Sequence, residues 1–433
     1  MYALAYYNLG YSYFKLRDYS AALNRFRQYV DLESNRQAAS LADAYNRIGD
    51  CLYQNRQFSL AEENYSRAAQ LSPSAGDYSI YQKGFLLGLQ KDYKGKISAM
   101  DRLISEYPES QYVDDALFEK GRSYVLLENS SSAAQAFEKL IREFPQSSLA
   151  RKAGIQLGLL YYNDNQPEKA LAAYKQVISN YPGSEEAKIA LQDLKSVYID
   201  LNDINAYASY VNSIGGNIRL EVGEQDSLTY IAAEKLFMRG DNDGARRSLI
   251  NYLQTFPEGA FSSNANFYLG SIAFAKKEFD EAIQRFKSVI ASGDTKFLEE
   301  SVARTAEIEY LSKDYPAALE SFKRLQIVAE NPENRQAARL GIMRCALQTG
   351  QQKDALLAAD ELLKEPKLSP ELEAEARYVR AKAYIAQKQA NKALADLKEL
   401  SKDTRTVHGA EPNICWPNYI TIPTMTRMPK GAQ

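Results

Sequence analysis

Polar and apolar residues alternate in this chain with a helical period from its first residues onward. Apolar side chains recur three and four apart through "YYNLGYSYFKLRDYSAALNRF" and again through "YNRIGDCLYQNRQFSLAEENYSRAAQLSP". That spacing gathers them on one face of an α-helix. In each stretch two such runs are separated by a short polar break, the pattern of two helices, A and B, joined by a turn.

One order of residues recurs within these stretches. An aromatic residue or Leu near the start of helix A is followed by Leu-Gly and then Tyr. Helix B carries an Ala, an aromatic residue four positions later and a Pro at its end. The first stretch has Tyr6, Leu9, Gly10, Tyr13, Ala22 and Phe26. "GIQLGLLYYNDNQPEKALAAYKQVISNYP" has Leu157, Gly158, Tyr161, Ala170, Tyr174 and Pro182. The helix-B position returns at 22, 61, 96, 133, 170, 207, 245, 282, 318, 355 and 393, and it is Ala in nine of the eleven, with Lys96 and Tyr207 the exceptions. Small Gly and Ala let the two helices approach, Tyr and Phe fill the gap between units, and Pro stops helix B because it cannot continue the hydrogen-bond ladder. A single unit leaves an apolar face open, and stacking units buries it.

This order resembles the tetratricopeptide repeat, whose signature W-x2-L-G-x2-Y…A-x3-F…P runs over about 34 residues. The resemblance implies an all-α fold: a right-handed α-solenoid of about eleven helix-turn-helix repeats. Here the units run two or three residues longer, and Tyr, Leu or others replace the Trp. The linkers "YPESQYVDDA", "FPQSSLARKA" and "YPGSEEAKIAL" are similar to those of envelope proteins of Gram-negative bacteria. The relatives are the tetratricopeptide lipoprotein of the outer-membrane β-barrel assembly machinery and the periplasmic coordinator of the Tol–Pal system. "SYVNSIGGNIRLEVGEQDSLTYIAAEKLFMRGD" resembles long periplasmic tetratricopeptide proteins of the Bacteroidetes.

The unit over 188–223 departs from the pattern, with Lys195 at the Gly position, Tyr207 at the Ala position, and then Gly215 and Gly216 before a β-prone run. The expected organisation is a solenoid over 1–212, a degenerate segment at 213–223, a second solenoid over 224–405 and an irregular tail over 406–433. The degenerate segment is either a bend or hinge, or a diverged unit with a longer loop.

Composition narrows the function. A formal net charge of −2 provides no basic field for nucleic acid. No apolar run reaches the length of about 18 residues that spans a bilayer. A single histidine removes most zinc and His-dependent acid–base chemistry. Cys51, Cys345 and Cys415 lack metal spacing, and the first two, on A-helices, read as small core hydrophobes. There is no phosphate-binding loop, HExxH, CxxC or GxSxG, so no catalytic, cofactor or metal site is expected. Gly10, Gly49, Gly121, Gly158 and Gly270 read as packing glycines. The acidic pairs Glu62–Glu63, Asp114–Asp115 and Glu299–Glu300 read as a solvated helix face.

What remains is surface. The resemblance implies that a protein or peptide lies along the groove lined by the A-helices. The residues there are Tyr7, Tyr11, Phe14, Tyr53, Tyr81, Phe85, Phe118, Arg122, Lys152 and Tyr162. In the second half they are Tyr230, Phe237, Phe267, Phe274, Tyr310, Tyr378 and Lys382. Such an aromatic strip suits protein recognition; the alternative is that its rings pack between adjacent A-helices. The recurrent Lys, Arg and Asn of a chaperone-binding carboxylate clamp do not repeat. The expected function is a non-catalytic scaffold of the bacterial periplasm or the inner side of the outer membrane. The other readings are a glycan- or peptidoglycan-binding accessory, and the helical part of an enzyme whose catalytic domain lies elsewhere.

Both ends break the pattern. The chain opens inside a unit, so residues upstream are expected. It closes on "HGAEPNICWPNYITIPTMTRMPKGAQ", which holds the only His and Trp. A synonymous DNA sequence for Pro412–Gly431, read with one extra G before it, translates as AKYLLAQLYYDTNDDADAKG. That string matches the unit at Leu157–Ala170 and falls back on the repeat period. Residues 412–433 therefore read as an out-of-frame twelfth repeat, with a binding tail or a disordered terminus as the other readings. His408 then reads as a solvent-exposed side chain beside the frame break. The gene decides between them: sequencing through Glu411 is expected to show the codons that restore the repeat, and codons that do not restore it overturn the frame-shift reading.

Overall fold

The computed structural model describes residues 2–35, 39–73, 76–215, 219–293 and 296–400. The tail with His408, Cys415 and Trp416 lies outside them. The described residues form 22 α-helices and no strand, in two compact units, Met1–Leu201 and Asn202–Gln433. The first unit runs α1 (Tyr2–Lys15), α2 (Tyr19–Leu32), α3 (Ala39–Gln54), α4 (Phe58–Leu71), α5 (Asp77–Leu89) and α6 (Tyr93–Glu106). It continues with α7 (Val113–Leu126), α8 (Ser130–Glu143), α9 (Ser148–Asn163), α10 (Pro167–Asn180) and α11 (Glu185–Asp200). The second unit begins with α12 (Ile204–Ile214), α13 (Val222–Met238), α14 (Asn242–Thr255), α15 (Ser262–Ala275) and α16 (Phe279–Ala291). It ends with α17 (Leu298–Leu311), α18 (Tyr315–Val328), α19 (Pro332–Gln348), α20 (Gln352–Leu362), α21 (Pro370–Ala386) and α22 (Ala390–Leu400). Odd-numbered helices are A, even-numbered are B, and each packs chiefly on its neighbours in the chain. This is an all-α tetratricopeptide-type solenoid architecture.

The division between the units falls inside the diverged repeat, between α11 and α12, earlier than the expected 212. The segment 213–223 lies within the second unit. There Gly215 ends α12 at φ 78°, and 216–218 are outside the described residues.

Every A–B turn is built alike. One residue takes a left-handed conformation: Arg17, Arg56, Lys91, Glu128, Asn165, Asn202, Gly240, Lys277, Lys313, Gly350 and Lys388. In the ten turns that lie inside the two units its amide and the next close the end of helix A, as when Arg17 donates to the Phe14 carbonyl and Asp18 to that of Tyr13, both at 3.0 Å. The residue after it caps helix B, the Asp18, Asp92, Asp203, Asp241 and Asp314 carboxylates each accepting a backbone N–H from the first turn. Only two of these eleven left-handed positions are Gly, so the other nine hold a conformation unfavourable to a side chain.

The helix pairs are held by an exchange of volume. A Cβ placed on Gly10, Gly49, Gly121, Gly158 or Gly270 would lie 2.4–2.8 Å from a ring atom of Phe26, Tyr65, Phe137, Tyr174 or Phe286. Each ring belongs to helix B of the same repeat, sixteen residues on, and each is buried. In the α19–α20 repeat that offset joins Met343 to Ala359, both fully buried: large and small have changed places. A Cβ on Gly341, two residues earlier, would instead lie 2.4 Å from the Phe322 ring of α18. Cys51 and Cys345 complete this core as expected, and burial pushes each thiol up to about 12.

The Tyr-Pro-x-Ser linkers join successive repeats. The Tyr181 hydroxyl donates to the Pro145 carbonyl of the preceding linker at 2.8 Å, and Tyr107 does the same to Pro73. Ser110 and Ser147 donate to Asp77 at 2.6 Å and Asp114 at 2.7 Å, at the start of the preceding A-helix. Two of the acidic pairs read as a solvated face are thereby corrected. Asp114 anchors a linker, and Glu299 accepts the Glu330 and Asn331 amides at 2.9 and 3.1 Å ahead of α19.

Three stability outcomes follow, all read by urea denaturation of the full chain. Gly158→Ala should cost about 1–3 kcal/mol through overpacking against Tyr174, and Gly158→Met combined with Tyr174→Ala should be less destabilised than the two single changes summed. Lys277→Gly should stabilise by about 1 kcal/mol by relieving the left-handed strain.

Candidate functional site

Successive A-helices touch: α7 with α9, α9 with α11, α13 with α15, α17 with α19 and α19 with α21. Among the described residues no successive B-helices touch as closely. In these parts of each unit the A-helices therefore lie side by side as one layer, and the B-helices stand further apart.

Much of the expected aromatic strip holds this layer together. Tyr81 stacks on Tyr112 with centroids 5.2 Å apart, Tyr230 on Phe261 at 4.5 Å and Phe267 on Phe297 at 4.1 Å, all within 16° of parallel. In each pair the second ring stands just ahead of the next A-helix. Tyr230 and Phe267 are only 3% exposed. Both are thereby corrected from partner-binding to core residues, because the neighbouring repeat supplies the ring that covers them. Arg47 lies 5.7 Å over Phe14, and Arg304 lies 4.6 Å over Phe274, again from the next A-helix. Tyr53 meets Phe85 edge-on at 6.2 Å. Phe118 tilts on Phe137, Phe237 on Tyr268, and Tyr310 stands edge-on to Phe322.

The phenols are anchored by carboxylates. Tyr7 donates to Asp43 at 2.7 Å, Tyr11 donates to the same carboxylate, and Tyr162 donates to Asp200. Asp50 accepts from Tyr65 and Tyr78, both at 2.7 Å, and faces Arg47 at 2.6 Å. Burial pushes the Asp50 carboxyl up while Arg47 pulls it down. Burial and Asp43 together drive the Tyr11 phenol up to about 12. In the second unit Glu234 accepts from Tyr230 at 2.6 Å and Tyr268 at 2.9 Å. Arg304 pairs with Glu300 and Glu307, and buried Arg344 makes two 2.7 Å bonds to Glu375. These groups rigidify the layer, since hydroxyl and cation partners are already committed.

Among the expected site residues the side chains left open are Arg122, Lys152, Tyr378 and Lys382, with the Lys382 amine 5.4 Å over the Tyr378 ring. Tyr7, Tyr11, Phe14, Tyr53, Tyr81, Phe85, Phe118, Tyr162, Phe237, Phe274 and Tyr310 are half-buried. The structure adds aliphatic groups in the same stripes: Val125 on α7, Leu159 on α9, Ile189 on α11 and Ile385 on α21, all exposed. Helical spacing from Arg122, Lys152 and Lys382 could have found them; a search for rings passed them over. Lys96, at a helix-B position usually held by Ala, is buried, occupies the space over Gly88 and pairs with Glu119. Among the described residues no group of His, Cys, Asp and Glu could hold a metal ion, and no helix is long and apolar enough to cross a membrane.

Comparison with known proteins agrees with this architecture. Residues 7–76 and 232–295 match a tetratricopeptide repeat family, and 78–110 match a second family of that description. Residues 114–194 match the YfiO family, described as outer membrane lipoprotein. No match was found among the curated proteins. Similar solved structures include a tetratricopeptide repeat protein from Parabacteroides merdae, 16% identical, covering 70% of this chain and 98% of that one with a TM-score of 0.38. The C-terminal part of a repeat protein from Cytophaga hutchinsonii is also 16% identical and covers 68% and 98%, with a TM-score of 0.37. YrrB, described as a TPR protein with an unusual peptide-binding site, is 20% identical and covers 44% and 92%, with a TM-score of 0.35. Tetratricopeptide repeats are thus matched in both units, within a helix-pair period that runs through α1–α22.

Proposed function

We propose that the chain is a non-catalytic scaffold of the bacterial cell envelope, periplasmic or associated with the outer membrane, that holds partner proteins along its A-helix faces. The carrying observation is that the A-helix stripes leave cations and aliphatic side chains open in both units. Arg122, Lys152, Leu159 and Ile189 are exposed in the first, and Tyr378, Lys382 and Ile385 in the second. Mixed apolar and charged surface on a rigid layer suits a protein segment, whose apolar side chains contribute affinity and whose charges set register. The envelope placement takes its support from the outer membrane lipoprotein match over 114–194. The sugar-stacking alternative depended on free ring faces. Most rings of the strip instead lie against neighbours, which removes the observation that favoured it.

In-cell photo-crosslinking from Phe85 and Tyr378, followed by mass spectrometry, tests the proposal. Discrete envelope proteins captured from these positions are the expected result. Retention of the chain on isolated cell wall, with no protein captured at either position, would overturn it.

A further inference from the structure

We infer that the A-face stripe formed by α7, α9 and α11 takes a segment of another protein in which aliphatic side chains are interspersed with carboxylates. This names the partner chemistry of the scaffold proposed above and rests on that reading.

The stripe is continuous. Phe118, Arg122 and Val125 follow one another at helical spacing on α7, and Lys152, Ile155, Leu159 and Tyr162 do so on α9. Ile189 opens the corresponding stripe of α11, and α9 touches both of its neighbours. Leu159 is 42% exposed and Ile189 47%, where at Tyr81, Tyr230 and Phe267 a ring from the next repeat covers the A-helix side chain. An apolar side chain kept open on a rigid layer is a place for a partner's apolar group.

The charges choose the sign of that partner. The carboxylates beside α7 and at the end of α11 are already engaged, exposed Glu185 pairs with Lys188 at 2.7 Å, and Glu186 stands one turn ahead of Ile189. Glu119 is held between Lys96 and Arg122, the latter at 3.2 Å. Asp200 accepts the Tyr162 hydroxyl, and Asp115 lies against the Tyr81 phenol and is pushed toward its neutral form, chiefly by burial. The cations are not consumed in the same way. Arg122 stays exposed after meeting Glu119, and among the described residues no carboxylate pairs with exposed Lys152. In the second unit Arg304 and Arg344 are tied to acids on their own or the next A-helix. A segment entering over α9 therefore meets aliphatic groups flanked by open positive charge, which favours carboxylates and rejects Lys and Arg.

The test pans a phage-displayed library of short random peptides on the full chain. The same library is panned on a Lys152→Glu, Leu159→Asp double variant, with circular dichroism melts confirming that both proteins are folded. Both substituted side chains are exposed, so the variant is expected to melt with the parent. Enriched peptides should be rich in Leu, Ile, Val, Asp and Glu, and should bind the variant about tenfold more weakly. They should bind a Lys382→Glu variant of the second unit as tightly as the parent chain. Enriched peptides that are basic, or that bind the double variant unchanged, overturn this inference while leaving the scaffold reading in place. No enrichment on any of the proteins counts against both.

Discussion

The close approach of helix A to helix B in the repeats that lie inside each unit is the constraint on which the rest depends. It is set by one small residue facing one large one, as Gly121 faces Phe137 and Gly158 faces Tyr174. The absent side chain makes room for a ring that would otherwise stand between the helices, so the pair closes over it and water is excluded from both. Where Met343 and Ala359 stand at the same offset, the sizes are reversed and both remain buried. The total volume is conserved, and identity at each position is free to change.

Once the pair is closed, its turn and its neighbours are positioned too. A left-handed residue ends helix A, and at Asp18, Asp92, Asn129, Asp241 and Asp314 the next side chain caps helix B, which fixes the direction of the returning helix. The linker then carries a tyrosine and a serine back to the preceding repeat, at Pro145 and Asp114. These contacts leave the A-helices adjacent and the B-helices apart. Each unit so acquires a layer of A-helices, and only that layer offers a continuous row of stripes.

That layer is more crowded than its composition suggests. Rings such as Tyr230 and Phe267 are consumed by the next repeat, and phenols such as Tyr7 and Tyr11 by Asp43. The residues that no neighbouring repeat covers are aliphatic and cationic: Leu159, Ile189, Lys152 and Arg122 in the first unit. The rings that hold the layer together and the side chains it leaves open are thus different residues of the same helices.

From the sequence alone, the repeat period, the two helices of each unit, the packing role of Gly10 or Gly158 and the burial of Cys51 and Cys345 were all legible. Each depends on the residue's own size or on neighbours within a few turns, which periodicity records directly. The Tyr-Pro-x-Ser linker was visible as a motif, but its hydrogen bonds back to the preceding repeat were not. Left-handed Lys277 and Lys313 gave no signal, because a lysine does not announce that conformation. Nor could the sequence separate Tyr230, a core ring, from Tyr378, an open one. Both stand in the stripe of an A-helix, and their fates differ through residues about thirty positions away. Whether a side chain on the A-helix layer meets solvent or a neighbouring repeat is decided by how repeats stack, and that belongs to the tertiary structure.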